Sequence, residues 1–330
     1  MNRSKIIIVF IVCAIVFTFT EIFGKDAAKF RIVKTIQITN DGEYYMDPKL
    51  SPDGSMVVFK GRKGGLFIRN ADRTGSMVTI LAKKGMYKYI WSPDSKQIAF
   101  DVFTSEKGRK KMELHIYDIH SNTSSMIRDK GRPFRLTQWT NEGIEVKRKI
   151  KIENQKKGLK TVKERFNIHF GSFELKKSPL VYFEQSDNRN YIIVDDGNSN
   201  ILLKKPNYVL PLLSPKNDRL LTAVYRDGHT HILDISGSIV GDLGMADEEQ
   251  WSPDGKYIIY EIPEYGGRDG QAMVASEIYI INADGTGKNK LTDTENIIER
   301  KGQCSDGCQK ITYFDQITGK IFVSELEYDE

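Results

Sequence analysis

The sequence predicts an all-β fold assembled from repeated, four-stranded antiparallel sheets. Aromatic residues are plentiful, with 15 Tyr and 16 Phe among 330 residues, and alanine-rich periodic segments are few, which favours strands. The phrase "WSPDGKYIIYEI" (251–262) returns in imperfect copies along the chain, and a strand–turn–strand unit such as "SEIYIINADGTGKNKLTD" (276–293) follows it. Each repeat therefore supplies one short strand before the turn phrase and three strands after it.

The copies of the phrase recur about every 40 residues, a period that indicates a repeat architecture. The steps between successive anchor positions are 41, 48, 38, 36, 38 and 53 residues. Four-stranded antiparallel sheets that repeat at this length predict a β-propeller. The seven anchor positions are Ser51, Ser92, Thr140, Ser178, Ser214, Ser252 and Ser305.

The residue types of the phrase are explained by the geometry of a β-turn. Proline fixes φ at the first turn position, aspartate closes an Asx-type turn onto the backbone, and glycine takes the left-handed position. The Trp or Leu before the phrase ends one strand and fills the space between neighbouring sheets. The residues of the phrase and the Trp before it are therefore predicted to be structural: Ser51, Pro52, Asp53, Gly54, Trp91, Ser92, Pro93, Asp94, Trp139, Trp251, Ser252, Pro253, Asp254 and Gly255.

Seven anchors predict seven blades in a single domain over residues 33–330. The count is six if Ser178 is not an anchor, or if residues 147–178 belong to one enlarged blade. The last repeat is one strand short, and "VKTIQITN" (33–40) has the ending of a fourth strand. We therefore expect residues 34–39 to pair with the strand that contains Ile321 and Val323, which would close the ring and remove an exposed edge.

Residues 1–24 are predicted to be a signal peptide or an uncleaved N-terminal anchor. The basic start "MNRSK" precedes an uncharged run over residues 6–20, which rises only about 22 Å as a helix. Export to the periplasm or the extracellular space follows, with a membrane tether through residues 6–20 left open. Export, and a formal net charge of only +5, exclude nucleic acid as the expected partner.

The cysteines Cys304 and Cys308 flank a Ser-Asp-Gly turn in "QCSDGCQK". An oxidising compartment permits a bridge between them, and a disulfide is the favoured prediction. Two free thiols remain the alternative. A metal pair is disfavoured because no second Cys or His pair stands nearby at ligand spacing.

The motif Trp/Leu-Ser-Pro-Asp-Gly-Lys-x-Ile-x-Tyr/Phe, followed by Ile-Tyr-Ile-Ile-Asn-Ala-Asp-Gly and Lys-Leu-Thr, resembles the WD-like repeat of the TolB-type β-propeller family. The resemblance covers roughly residues 33–326. It implies a propeller that acts in the cell envelope through protein contacts. Some relatives are propeller domains of serine peptidases, but the chain has no Gly-x-Ser-x-Gly elbow, so peptidase activity is not expected.

Partners are expected on the face that carries the loops between second and third strands, because such loops vary while sheets hold them rigid. The Gly-rich stretch 263–276 and the stretch 104–111 are the main candidates, with a plain mobile surface loop as the alternative. The candidate binding residues are Tyr265, Arg268, Asp269, Arg109 and Lys110.

His229 and His231 stand two apart on a predicted strand, so both point to one face and could bind a metal. No third ligand can be nominated from the sequence. No catalytic, metal or cofactor site is therefore predicted, and no cofactor is expected.

These observations predict an exported, non-enzymatic, monomeric β-propeller that binds a protein or an envelope ligand. The alternative is a propeller hydrolase or lactonase with an acid or metal centre in the central funnel. Inward-facing Asp, Glu or His residues from three or more blades, meeting at the axis, would favour that alternative.

Overall fold

The computed structural model describes residues 29–82, 85–106, 109–128, 134–151, 159–167, 172–175, 180–186, 189–195, 200–203, 208–224 and 227–329. Within these ranges every regular element is a β-strand except one 3₁₀ turn at Asp306–Cys308. No helix in this part of the chain is long and apolar enough to span a membrane. The predicted targeting segment, residues 1–24, lies outside the described residues.

The strands form seven antiparallel sheets, named I to VII here in chain order. The first strand, β1 (Lys29–Gln37), belongs to the last sheet. Sheet I contains β2 (Tyr45–Leu50), β3 (Met56–Gly61), β4 (Leu66–Asn70) and β5 (Val78–Leu81). Sheet II contains β6 (Met86–Trp91), β7 (Gln97–Glu106), β8 (Arg109–Asp118) and β9 (Thr123–Arg128).

The middle of the chain forms three further sheets. Sheet III contains β10 (Phe134–Thr140), β11 (Gly143–Lys151), β12 (Leu159–Asn167) and β13 (Ser172–Leu175). Sheet IV contains three described strands, β14 (Leu180–Ser186), β15 (Arg189–Asp195) and β16 (Asn200–Leu203). Sheet V contains β17 (Tyr208–Leu213), β18 (Arg219–Val224), β19 (Thr230–Asp234) and β20 (Ile239–Gly244). The anchor predicted at Ser178 lies outside the described residues.

Two sheets come from the last third of the chain. Sheet VI contains β21 (Asp247–Trp251), β22 (Tyr257–Gly266), β23 (Ala272–Asn282) and the short β24 (Asn289–Lys290). Sheet VII contains β25 (Glu299–Cys304), β26 (Lys310–Asp315) and β27 (Ile321–Asp329), and β1 is its fourth strand.

The pairing of β1 with β27 brings the beginning of the described chain beside its end. Lys34 lies opposite Glu325, and Ile36 lies opposite Val323. Beyond β1, the Ile38 amide donates to the Ile321 carbonyl over 2.7 Å. The pairing predicted for residues 34–39 is therefore observed, and the strand begins at residue 29, earlier than predicted.

Neighbouring sheets contact each other through the residues of the turn phrase. The Trp91 indole nitrogen of sheet II donates to the Lys49 carbonyl of sheet I over 3.1 Å. The Trp251 indole of sheet VI likewise donates to the Leu212 carbonyl of sheet V over 3.2 Å. Trp139 packs against the apolar cluster between sheets II and III. The tryptophans thus fill the space between sheets, as predicted.

The serine of the phrase organises the turn. Ser51, Ser92 and Ser252 are buried, and the hydroxyl of each donates to the aspartate two residues later over 2.5 to 2.6 Å. The same hydroxyl accepts the amide five residues later, over 2.9 to 3.0 Å. Gly54 and Gly255 both have φ +68°, the left-handed conformation that the turn requires.

Cys304 and Cys308 form a disulfide in the turn of sheet VII. Both are buried within an apolar cluster that includes Ile311 and Leu326. Cys304 ends β25, the position that Trp91 and Trp251 hold in β6 and β21. The bridge therefore takes the place of a large apolar side chain.

The inner strands are named here as β2, β6, β10, β17, β21 and β25. Three pairs of them from different sheets lie against each other: β2 with β25, β21 with β25, and β6 with β10. Each inner strand is interrupted by a shift of register against its partner strand. At three of these bulges a charged residue has positive φ: Asp47 (52°), Glu248 (55°) and Lys301 (58°). Because a bulge redirects side chains, it brings charged groups into the inner layer of the fold.

The predicted binding loops are mostly strand. In residues 263–276, Tyr265 pairs with Met273 and Gly266 pairs with Ala272, so this stretch extends the β22–β23 hairpin. In residues 104–111, Thr104 pairs with Lys111 within the β7–β8 hairpin. The prediction of loops was wrong because backbone pairing continues past Pro263, and the glycines with positive φ are confined to the hairpin tip.

Candidate metal centre and charged inner strands

His229, His231 and Asp242 form a group whose potential ligand atoms all lie within 4.8 Å of one another. His231 lies on β19, directly opposite Asp242 on β20, and His229 immediately precedes β19. The period-two spacing of the histidines was recognised in the sequence, but Asp242 was not. Its position depends on two register shifts between β19 and β20, which no local pattern reveals.

The three groups are already oriented towards one another. Nδ1 of His229 lies 3.0 Å from Oδ2 of Asp242, and Nε2 of His231 lies 3.9 Å from the same oxygen. The Tyr208 hydroxyl shares a hydrogen bond of 2.8 Å with Nδ1 of His231. When Nδ1–H of His231 is the donor, the lone pair of Nε2 is free to bind a cation.

Asp242 has the charge that a metal ligand needs. Burial alone would raise its pKa, but hydrogen bonds from the Gly244 amide and His229, together with the two histidines' charges, hold the pKa of Asp242 below its ordinary value. The side chains of His229 and Asp242 are 43% and 47% exposed, so a cation can reach them from solvent. Two imidazoles and one carboxylate suit Mn²⁺, Fe²⁺ or Zn²⁺ and leave coordination positions open.

A network of charged residues joins sheets VI and VII beside this centre. Arg300 lies 2.8 Å from Glu261 (Nε to Oε2), 3.1 Å from Asp247 and 3.3 Å from Glu248. Lys301 also pairs with Glu248. Glu261 is fully buried and accepts the Gly302 amide, so it holds the two sheets together and lies out of reach of a dissolved ligand.

Burial governs the pKa of Glu261. Desolvation raises it to about 8, although the nearby Arg300 charge and the Gly302 amide pull it down. A carboxyl group that stays protonated near neutral pH is frequent at functional sites, but a buried structural network produces the same effect.

A bridge connects the metal group with this network. The hydroxyl of Thr230, the residue between the two histidines, donates to Glu249 of β21 over 2.5 Å. Glu249 follows Asp247 and Glu248, the partners of Arg300, along the same inner strand. Polar side chains therefore extend from β20 of sheet V to the inner strand of sheet VII.

On the other side of sheet VII, the inner strands carry an excess of positive charge. Nζ of Lys49 donates to the Tyr89 carbonyl over 2.9 Å and stands 5.1 Å from the centre of the Tyr89 ring. Lys60 lies 5.2 Å from the same ring and pairs with Asp47. Burial, followed by the charges of Lys88 and Lys60, lowers the pKa of Lys49 to about 7.

The residues predicted to bind a partner are spread over two hairpins. Tyr265 is 57% exposed, and Arg268 and Asp269 are exposed at the tip of the sheet VI hairpin. Arg109 and Lys110 begin β8, in the hairpin of sheet II. The contact from the sheet VI hairpin to the inner network comes from Met273 instead, whose sulfur lies 3.3 Å from Nη1 of Arg300.

No family model and no curated protein matches the chain, so the TolB-type resemblance remains a prediction. Solved structures do match. An oligogalacturonate lyase from Vibrio parahaemolyticus has a TM-score of 0.61 and 11% identity, covering 91% of this chain and 97% of its own. An oligogalacturonate lyase in complex with manganese has a TM-score of 0.58 and 11% identity, covering 91% and 96%. A chain of a mitotic checkpoint complex has a TM-score of 0.50 and 13% identity, covering 89% and 94%.

These similarities show a fold of the β-propeller type, built of antiparallel four-stranded sheets. Two of the similar proteins are enzymes, and one was solved with manganese. They contradict the expectation of a non-enzymatic binding scaffold, because that expectation rested on the fold and this fold is shared with enzymes. It also rested on missing sequence motifs, whereas the candidate ligands come together only through strand pairing.

Proposed function

We propose that the chain is a metal-dependent enzyme that cleaves a carboxylate-bearing saccharide. The observation that carries the proposal is the convergence of His229, His231 and Asp242, with ligand atoms within 4.8 Å, at the exposed end of sheet V. The manganese complex of a lyase with a similar fold supports the choice of cation. The two lyases also suggest the substrate class, because oligogalacturonate is a chain of acidic sugars.

The chain's own residues fit a divalent cation. His231 is held by Tyr208, and the carboxylate of Asp242 stays ionised, so the group is arranged before a cation arrives. A bound divalent cation would supply Lewis acidity, drawing charge from a substrate carboxylate or carbonyl oxygen. The partly exposed side chains leave room for such an oxygen beside the protein ligands.

A closed ring of seven blades is the architecture we propose for this enzyme. The pairing of β1 with β27 and the bond from the Asp306 amide of sheet VII to the Pro52 carbonyl of sheet I support closure. The division of residues 134–203 into sheets III and IV supports seven blades over six. With residues 1–24 as a targeting or anchoring segment, the substrate would be met outside the cytoplasm.

Metal binding is the first test of the function. We expect the wild type to bind Mn²⁺ in isothermal titration calorimetry, and His231→Ala to abolish binding. His120→Ala removes an exposed histidine of the β8–β9 turn, outside the group, and serves as the matched control. Binding that survives in His231→Ala would contradict the assignment of the ligands.

Activity is the second test. The protein is incubated with oligogalacturonate, with Mn²⁺ or with a chelator, while ultraviolet absorbance follows unsaturated ends and a reducing-sugar assay follows all new ends. A rise in both signals indicates elimination, whereas reducing ends alone indicate hydrolysis. The absence of chelator-sensitive cleavage across a panel of uronic-acid saccharides would refute the proposed function.

A further inference from the structure

Lysines from three adjacent sheets converge on the inner layer of the fold. Lys49 lies on β2 of sheet I, Lys88 on β6 of sheet II and Lys301 on β25 of sheet VII. Sheet I stands between the other two, because Trp91 of sheet II bonds to the Lys49 carbonyl, and sheets I and VII are joined at Pro52. Nζ of Lys49 bonds to the carbonyl of Tyr89, the residue after Lys88, and β2 lies against β25, the strand that carries Lys301. The charges of Lys88 and Lys301 also contribute to lowering the pKa of Lys49.

The positive charge of this group is only partly compensated. Lys60 pairs with Asp47 over 3.2 Å, and Lys301 pairs with Glu248. Lys49 and Lys88 form no ion pair with a carboxylate of the described residues; their ammonium groups donate to the carbonyls of Tyr89 and Thr137. Asp101 of β7 accepts the Lys88 backbone amide over 2.7 Å, and its charge attracts the Lys88 ammonium group.

Such an arrangement is costly for the protein alone. Both side chains are partly buried, and burial lowers the pKa of Lys49 and of Lys88. Placing like charges together away from water costs free energy unless an opposite charge arrives. A ligand that brings negative charge therefore explains why two partly buried lysines lie close together.

We propose that Lys49, Lys88 and Lys301 form a binding site for the carboxylates of an acidic oligosaccharide. The identity of this ligand rests on the proposed function, whose substrate has that chemistry. Lysine ammonium groups act as separate point charges, so three of them on three strands match carboxylates spaced along a sugar chain. Arg300 is held by the carboxylates of Glu261, Asp247 and Glu248 and its side chain is only 14% exposed. Lys301 has one carboxylate partner, Glu248, and its side chain is 38% exposed, so it can also contact a ligand.

The polar bridge through Thr230 and Glu249 connects the metal group with β21, the inner strand of sheet VI, whose Glu248 pairs with Lys301. One saccharide could then contact the metal group with one residue and the lysines with others. This division of roles predicts that saccharide binding survives without metal.

The test is calorimetric titration of oligogalacturonate into metal-free protein. We expect wild type to bind, and Lys49→Met and Lys88→Met each to lose affinity by about tenfold or more, since an ionic contact to the ligand is removed. Lys216→Met, at an exposed turn of sheet V, is the matched control and should leave affinity unchanged. Equal affinity in wild type and Lys49→Met, or no binding by wild type, would overturn the proposal.

The pH dependence supplies a readout that a merely structural role would not change. Lys49 must be protonated to bind an anion, so wild-type affinity should fall as pH rises through about 7. The charged groups that act on it are Lys88, Lys60, Asp47 and Lys301. In Lys49→Arg, which remains charged, binding should persist and the fall should be reduced. If the affinity of Lys49→Arg falls with pH as steeply as that of the wild type, Lys49 is not the group whose charge controls binding.

His231→Ala separates this inference from the proposed function. If that variant still binds oligogalacturonate through the lysines while no preparation cleaves it, the enzyme proposal fails and the binding site stands. If cleavage occurs but Lys49→Met and Lys88→Met bind as wild type does, the lysine site fails and the enzyme stands.

Discussion

The Tyr208 hydroxyl lies 2.8 Å from Nδ1 of His231 and faces that ring from the inner strand of the same sheet. The bond fixes the ring so that Nε2 is directed to Asp242. Tyr208 is thus a positioning residue for the candidate metal group, since it contacts a ligand without being one. A partner of this kind commonly raises metal affinity, because it fixes the orientation of the ligand ring.

Tyr208→Phe should lower Mn²⁺ affinity about 10- to 100-fold, the usual effect of losing such a partner. The ring remains to pack in its apolar cluster, so thermal unfolding should change little. Calorimetric titration of Mn²⁺ measures the first quantity, and Tyr265→Phe, at the exposed hairpin, is the control. Wild-type Mn²⁺ affinity in Tyr208→Phe would show that the hydroxyl does not position His231.

The turn phrase gives a prediction on stability. The buried Ser252 hydroxyl donates to Asp254 over 2.6 Å and accepts the Tyr257 amide over 2.9 Å. Ser252→Ala leaves those partners without their bond, which should lower the free energy of unfolding by about 1–3 kcal/mol. Urea unfolding measures it, and Ser236→Ala, in an exposed turn of sheet V, should change it by less. Equal effects of the two variants would contradict the role of the buried hydroxyl.

Much of the fold could be predicted because its signals are local. The turn between inner and second strands is set by neighbours in sequence: Ser252 bonds to Asp254, and Gly255 supplies the positive φ. The pairing of β1 with β27 was also predictable, because the last repeat lacked one strand and the beginning of the chain offered one. The hairpin at 263–276 was missed because its glycines suggested a loop, although they lie only at the tip.

The candidate sites could not be predicted in the same way, because they depend on contacts between strands. Asp242 meets His231 through a pairing that includes two register shifts. Lys49 meets Lys88 and Lys301 through contacts between different sheets, and Lys301 lies at a bulge of β25 with positive φ. In the sequence these lysines are ordinary charged positions in short strands.

Arg300 should be important for stability as well as for the network. Above the pKa of about 8 that burial gives Glu261, Arg300→Met leaves that carboxylate ionised and buried without its cation, which should cost about 3–5 kcal/mol in the free energy of unfolding. The double variant Glu261→Gln/Arg300→Met should recover part of that loss, because no buried charge remains. Arg31→Met breaks an exposed pair with Glu327 and should cost at most about 1 kcal/mol. Urea unfolding of all four proteins decides whether burial makes the difference.

The pH dependence of stability should carry the signature of Glu261. Burial raises its pKa from 4.5 to about 8 in the folded protein, so over that window the folded state holds a proton that the unfolded chain has released. Stability therefore falls as pH rises from the unfolded value through about 8, and the stabilising contribution is complete only below 4.5. Glu261→Gln cannot titrate and should lose less stability over the same range.

The comparison of wild type with Glu261→Gln isolates this group, because Glu299, whose pKa is also raised by burial, to about 7, titrates in both proteins. Unfolding free energies measured by urea at several pH values should give two curves that diverge as pH rises. Parallel curves would show that Glu261 is ionised throughout in the folded state. In that case the Arg300 charge would outweigh the desolvation of the buried carboxylate.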